Sequence, residues 1–177
     1  NSFSHHEFPY EFTPGLEKKI LDCISKLIPA LGIENSFFNI EFRVDQDKEK
    51  FYIIEVNSRI AFQFAKTIQA VSGTDPLHLL CDVAVGDMPF FTMEYAQFSY
   101  CYNFELHHFF DKNILKTPTQ SDYEEIKLIY PEVHVRNLVS ENTLLSDYKH
   151  NPDSYRYCII DVPGNNREEI LAKYKHI

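Results

Sequence analysis

Apolar residues recur at helical spacing early in the chain: Leu16, Ile20, Cys23, Ile24, Leu27, Ile28 and Leu31 follow Thr13-Pro14, an N-cap with proline at the first helical position. The pattern predicts an amphipathic helix that Pro29 kinks or ends early, with Gly32 as its stop. The period then changes to two. Residues 37–44 and 51–57 alternate around Asp45-Gln46-Asp47-Lys48-Glu49-Lys50, which predicts a β-hairpin with a longish loop. Residues 62–71 read as one helix, Gly73 as a break, and Pro76–Val85 as a second helix entered through Asp75 and closed by Gly86. Residues 93–106 are aromatic in near-alternation, predicting a strand or strand pair. Ser121 and Glu124 form a capping-box pattern for a helix that Pro131 stops. Residues 133–139 and 155–162 read as strands, and Pro163-Gly164-Asn165-Asn166 turns the chain into a final helix from Arg167. The predicted class is α+β, with residues 1–88 as a hairpin-and-helix unit and 89–177 as a smaller β-rich extension.

Composition narrows the function classes. With 177 residues, 44% hydrophobic, the chain suits one sizeable globular domain or one with a small appendage. It has no 18-residue apolar run for a membrane span, no repeat, and no basic-then-apolar secretory leader. A net charge of −9 opposes a phosphate-tracking surface, so nucleic acid is not expected as a partner. Cys23, Cys81, Cys101 and Cys158 lie far apart, without CxxC spacing, and read as buried free thiols in a reducing cytoplasm. The chain begins without Met, which leaves open whether Asn1 is the native start.

The hairpin holds the candidate chemistry. Side chains of a strand alternate between faces, so Phe38, Ile40, Phe42 and Val44 share one side while Asn39, Glu41 and Arg43 share the other. Across the loop, Tyr52, Ile54 and Val56 form an apolar face and Ile53, Glu55 and Asn57 the opposite one. If the hairpin is symmetric about Lys48, Glu41 faces Glu55 and Asn39 faces Asn57, each pair with Cβ atoms about 5 Å apart. Opposed carboxylates repel, so such a pair holds a cation, shares a proton or pairs with a base such as Arg43 or Arg59. Two carboxylates and an amide are an all-oxygen set suited to Mg²⁺ or Mn²⁺, which completes its shell with water and phosphates. A guanidinium at Arg59 can grip a phosphate. Spacing alone equally allows a solvated sheet face with these acids paired to Arg43 and lysines.

The segments Phe38-Asn-Ile-Glu-Phe-Arg-Val-Asp45 and Tyr52-Ile-Ile-Glu-Val-Asn-Ser-Arg59 resemble the metal-binding segment of the ATP-grasp enzymes, which include biotin carboxylase, carbamoyl-phosphate synthetase and carboxylate-amine ligases. The resemblance extends to the helix before these strands, to the paired helices from Gly73 to Gly86, and to the C-terminal strand and helix. It implies the C-terminal lobe of an ATP-grasp fold, an antiparallel sheet with flanking helices, followed by the small extension. It also implies metal ligation by Glu41, Glu55 and Asn57, with Glu55 bridging two ions, and phosphate or acyl-phosphate contact by Arg59. The implied cofactors are ATP and Mg²⁺ or Mn²⁺. The implied activity is formation of a C–N bond between a small carboxylate, activated as an acyl phosphate, and an amine. Ser58 stands where the family often has Pro or Thr, and Ile60-Ala-Phe-Gln63 lacks the Gln and Glu that biotin carboxylation requires.

The five glycines are not clustered, so no loop here can wrap a triphosphate through backbone amides. The expectation is therefore a ligase fragment, inactive alone, that works with an N-terminal nucleotide lobe. The rival is a non-catalytic interaction or dimerisation module with a degenerate grasp-like lobe, and a homodimer is left open. Asp45, Asp47 and Glu49 do not make a calcium loop, because Lys50 takes the glycine position and no acid stands at position twelve. The pairs His5-His6 and His107-His108, Cys23, Cys158, and the stripe Phe98, Tyr100, Tyr102, Phe104 read as surface or packing residues.

Overall fold

Backbone hydrogen bonding follows the predicted alternation of helix and strand, with a short strand added at its N-terminal end. The computed structural model describes residues 5–94, 96–148 and 154–177, so the first four residues of the N-terminal segment and Tyr95 of the aromatic stretch lie outside it. In chain order the elements are β1 (His5–Phe8), α1 (Pro14–Ala30), β2 (Asn39–Asp45), β3 (Lys50–Asn57), α2 (Ala65–Ser72), α3 (Pro76–Val85), β4 (Tyr100–His108), α4 (Gln120–Ile129), β5 (His134–Asn137), β6 (Tyr155–Gly164) and α5 (Arg167–His176). The class is α+β and every strand pairing is antiparallel. Among the described residues no helix is long and apolar enough to cross a membrane.

The chain forms two compact units. One comprises Tyr10–Ala65 and Asp75–Phe91, and the other gathers residues 5–9 and Lys66–Thr74 with Thr92–Ile177. The first two of those segments join the second unit through specific bonds: β1 pairs with β4, and Thr67 on α2 bonds to Asp161 on β6.

In the hairpin unit, α1 starts at Pro14 behind an extended Thr13 and buries Leu16 and Ile20. It runs through Pro29 to Ala30, so this proline sits in the last turn and does not shorten the helix as the sequence suggested. Gly32 follows at φ 67°, a left-handed conformation that glycine adopts without a Cβ penalty. The hairpin turn is tied to the start of α1. Gln46 accepts from the Thr13 amide at 3.0 Å and donates to the Tyr10 hydroxyl at 2.9 Å, while Lys19 bonds the Glu49 carboxylate at 2.9 Å. A methyl group on Gly15 would collide with that carboxylate. Asp45 accepts from the Lys48 amide and ammonium, so its oxygens serve the turn itself. Residues 62–71 are not one helix: a 3₁₀ turn at Phe62–Phe64 precedes α2. For α3, the Asp75 side chain accepts from the Leu77 amide and Gly86 closes the helix at φ 88°, as its sequence predicts.

In the second unit the strand order is β1-β4-β6-β5. Tyr102, Phe104, Cys158, Ile160 and Val162 face a core completed by Val133 and Ile170, and Tyr174 of α5 stacks on Phe104 at 3.8 Å. This bears out the packing role of Tyr102 and Phe104. The sheet's other side is polar yet buried, carrying Asn103, Glu105 and Asp161. The aromatic stretch supplies one strand, from Tyr100. The helix cap also differs from expectation: Thr119 and Asp122, not Ser121 and Glu124, form the capping box of α4. Of the four free thiols, Cys101 and Cys158 are buried, Cys23 is half-buried and Cys81 is exposed, which corrects the expectation that all are core residues.

Candidate functional site

The ladder between β2 and β3 sets which side chains meet. Asp45 pairs with Lys50 across a four-residue turn, and that register, continued without interruption, would put Ile54 opposite Glu41 and Val56 opposite Asn39. A β-bulge between Glu41 and Phe42 leaves Ile54 unpaired and shifts the register by one. Beyond it, Glu41 faces Glu55 and Asn39 faces Asn57, the pairings expected from symmetry about Lys48. The same bulge reverses the facing of the turn-side half of β3. There Phe51 and Ile53, not Tyr52 and Ile54, share a side with Phe42 and Val44, and the rings of Phe42 and Phe51 meet edge to face at 5.5 Å.

Asn57 is the hub of this face. Its Nδ2 donates to Asn39 Oδ1 at 3.0 Å and to Glu55 Oε1 at 2.7 Å, which leaves its carbonyl oxygen as the atom able to coordinate a cation. Glu41 and Glu55 are exposed, while Asn39 and Asn57 are half-buried. No ion pair to Arg43 or to any lysine is present at Glu41 or Glu55 among the described residues. Two opposed carboxylates without a basic partner, beside an amide oxygen, fit a hard divalent ion that keeps several waters. The donor set stops there, because no group of three His, Cys, Asp or Glu side chains gathers to hold a metal among the described residues. Arg59 is not on the strand. It lies exposed in the bend two residues past the end of β3, its Nη1 donating to the Ile60 carbonyl at 3.4 Å, and strand parity does not govern where it points.

The second unit also holds buried polar groups, in which Glu105 and Ser154 join the histidines of the two His-His pairs. Glu105 accepts from Arg156 at 2.8 Å, and Nε2 of His6 and of His107 lie 3.5 and 3.2 Å from its oxygens. Burial raises the Glu105 pKa, but the hydrogen bond from His6, the Arg156 charge and the hydrogen bond from His107 outweigh it and bring the value down to about 2. Ser154 completes the chain of contacts at 3.1 Å from His107 Nδ1. It is 3% exposed, so this cluster is a buried ion network and not an accessible nucleophile. Burial pushes the Cys158 thiol up to about 11 and raises Cys101 as well, which keeps both protonated and inert. Glu105 gave no sequence signal because it stands among the aromatic and aliphatic residues that dominate β4.

Residues 12–88 match the family model of the carbamoyl-phosphate synthase L chain, ATP binding domain. No curated protein matches the sequence. Solved structures of similar fold include phosphoribosylglycinamide synthetase from Anaerococcus prevotii, with TM-score 0.69 and 16% identity over 98% of this chain and 43% of that one. L-amino acid ligase from Bacillus licheniformis aligns with TM-score 0.69 and 19% identity over 99% of this chain and 42% of its own. The biotin carboxylase–beta-gamma-ATP complex from Campylobacter jejuni aligns with TM-score 0.64 and 18% identity, covering 97% and 37%. The chain thus spans less than half the length of each of these, and identities this low speak for fold alone.

Proposed function

We propose that this chain is the C-terminal part of an ATP-grasp fold and supplies the metal-binding half of the active site of an ATP-dependent ligase joining a small carboxylate to an amine, a reading supported by the family match over residues 12–88 and by the similar folds. The observation that carries the reading is the bulge-set pairing of Glu41 with Glu55, with Asn57 beside them and no basic partner at either acid among the described residues. Glu41, Glu55 and the Asn57 carbonyl oxygen would hold Mg²⁺ or Mn²⁺. When bound, such an ion neutralises triphosphate charge and orients the transferring phosphoryl group. Asn39 holds the Asn57 amide so that its oxygen stays available, and Arg59, on a mobile-length side chain at the strand exit, would grip an anionic phosphoryl or acyl-phosphate oxygen.

In the proposed reaction a carboxylate oxygen attacks the γ-phosphorus of ATP and ADP leaves. The amine nitrogen then attacks the acyl carbon, phosphate leaves, and the nitrogen's proton passes to solvent or a base. A nucleotide-binding lobe outside these 177 residues would hold the adenosine end of ATP, since no glycine-rich loop stands in the chain. Hydroxylamine trapping tests the reaction class. The full-length protein supplied with ATP, Mg²⁺ and a pool of small carboxylates is expected to release ADP and form a hydroxamate. A protein that hydrolyses no ATP under any carboxylate and amine combination would instead fit the non-catalytic module.

A further inference from the structure

A cleft of about 500 Å³ in the second unit runs between α2 and the β5 side of the sheet, in the size range of small-ligand sites. Its charged lining is unusual for a chain of net charge −9. Lys66, Lys127 and His134 line it, and the two acids that also line it are already engaged. Glu132 is bound by Lys173 at 2.6 Å. Asp161 is 2% exposed, and its Oδ1 accepts from Thr67 at 2.8 Å and from Asn103 at 2.6 Å. Lys127, by contrast, has no hydrogen-bond or ion-pair partner among the described residues, and Lys66 bonds only the neutral Gln69 at 2.7 Å.

His134 is built into this wall. Its Nδ1 is buried 3.7 Å from Asp161 Oδ2 without a hydrogen bond, while the side chain as a whole is 41% exposed, leaving Nε2 as the ring nitrogen available to a ligand. The buried Asp161 charge is balanced by Arg136, whose Nη2 lies 3.8 Å from the same Oδ2, so the carboxylate leaves the cleft-facing Lys66 and Lys127 uncompensated. A histidine at a cleft wall with one ring nitrogen buried presents the other to whatever enters the cleft. We propose that the cleft binds a small ligand through an oxyanion, a carboxylate or a phosphate, gripped by Lys127, Lys66 and His134. Apolar flanks from Phe98, Val133 and Pro163 would cover the rest of a short ligand. The proposal uses neither the hairpin nor a nucleotide and stands apart from the ligase reading.

Calorimetric titration of the full-length protein with inorganic phosphate and, separately, succinate, in EDTA and without nucleotide, tests it. Saturable binding of at least one anion is expected, and the tighter of the two identifies the oxyanion. Lys127→Met is expected to weaken it about tenfold, the loss of one charge-assisted hydrogen bond. His134→Gln should weaken it as well, whereas Lys18→Met, the same charge change on α1, should bind as wild type. Absence of saturable binding by either anion, or equal affinity in Lys127→Met and Lys18→Met, would overturn the proposal.

Discussion

At Glu41 and Glu55 two like charges face each other across a strand pair, an arrangement that lowers stability unless something of opposite charge sits between them. Stability and metal binding should therefore respond in opposite senses. In EDTA, Glu55→Gln is expected to raise the unfolding free energy by about 0.5 kcal/mol, because the repulsion goes while the amide oxygen can still accept from Asn57. Urea unfolding of both proteins measures this, and a destabilised variant would mean that the carboxylate has a basic partner. Glu105 makes the contrasting case of an acid surrounded by bases. Its pKa is lowered from 4.5 to about 2, so its stabilising contribution is present above about pH 4.5 and is lost as pH falls toward 2. The full contribution is of order 3 kcal/mol. Glu105→Gln should destabilise the protein by an amount up to that at neutral pH and flatten the pH dependence of unfolding between 4.5 and 2. The hairpin acids were legible because alternation and spacing put them on one face. Glu105 and Asp161 were not, because their sheet is covered on both sides and a buried acid in such a strand looks like any polar interruption.

Single elements were read well where local chemistry decides them and less well where a neighbouring chain segment does. Asp75 and Gly86 bound α3, and Asn166 caps α5, each by its own side-chain or backbone preference. The start of α4 was misplaced by two residues because Thr119-Gln-Ser121 offers two hydroxyls at similar positions, and Asp122 decides between them by bonding back to Thr119. Thr119→Ala is expected to cost about 1 kcal/mol in chemical denaturation and Ser121→Ala close to nothing. β1 gave no signal, since four residues with two histidines acquire strand character only by pairing with β4. The bulge at Ile54 was equally invisible, although the register at the site depends on it. Deleting Ile54 would leave an unbroken ladder that still sets Glu41 opposite Glu55, so Mn²⁺ binding should survive the deletion. Its loss would show that the bulge also aims the carboxylates.

Across the molecule, the sequence conveyed the α+β class and the acidic hairpin. What it did not convey was that α2 belongs with the later sheet. That depends on Thr67 meeting Asp161, 94 residues away, and no local periodicity encodes such a contact. The chain aligns almost end to end with less than half of each similar structure, so the proposed chemistry depends on how its hairpin meets a nucleotide-bearing partner lobe. The central claim is narrower and rests on residues within the chain. Titration of Mn²⁺ into the intact protein, followed by electron paramagnetic resonance, reads it directly. Wild-type protein is expected to bind the ion saturably, and Glu55→Gln to lose that binding while its circular dichroism stays unchanged. Equal Mn²⁺ binding by a folded Glu55→Gln variant would contradict a metal site on this hairpin.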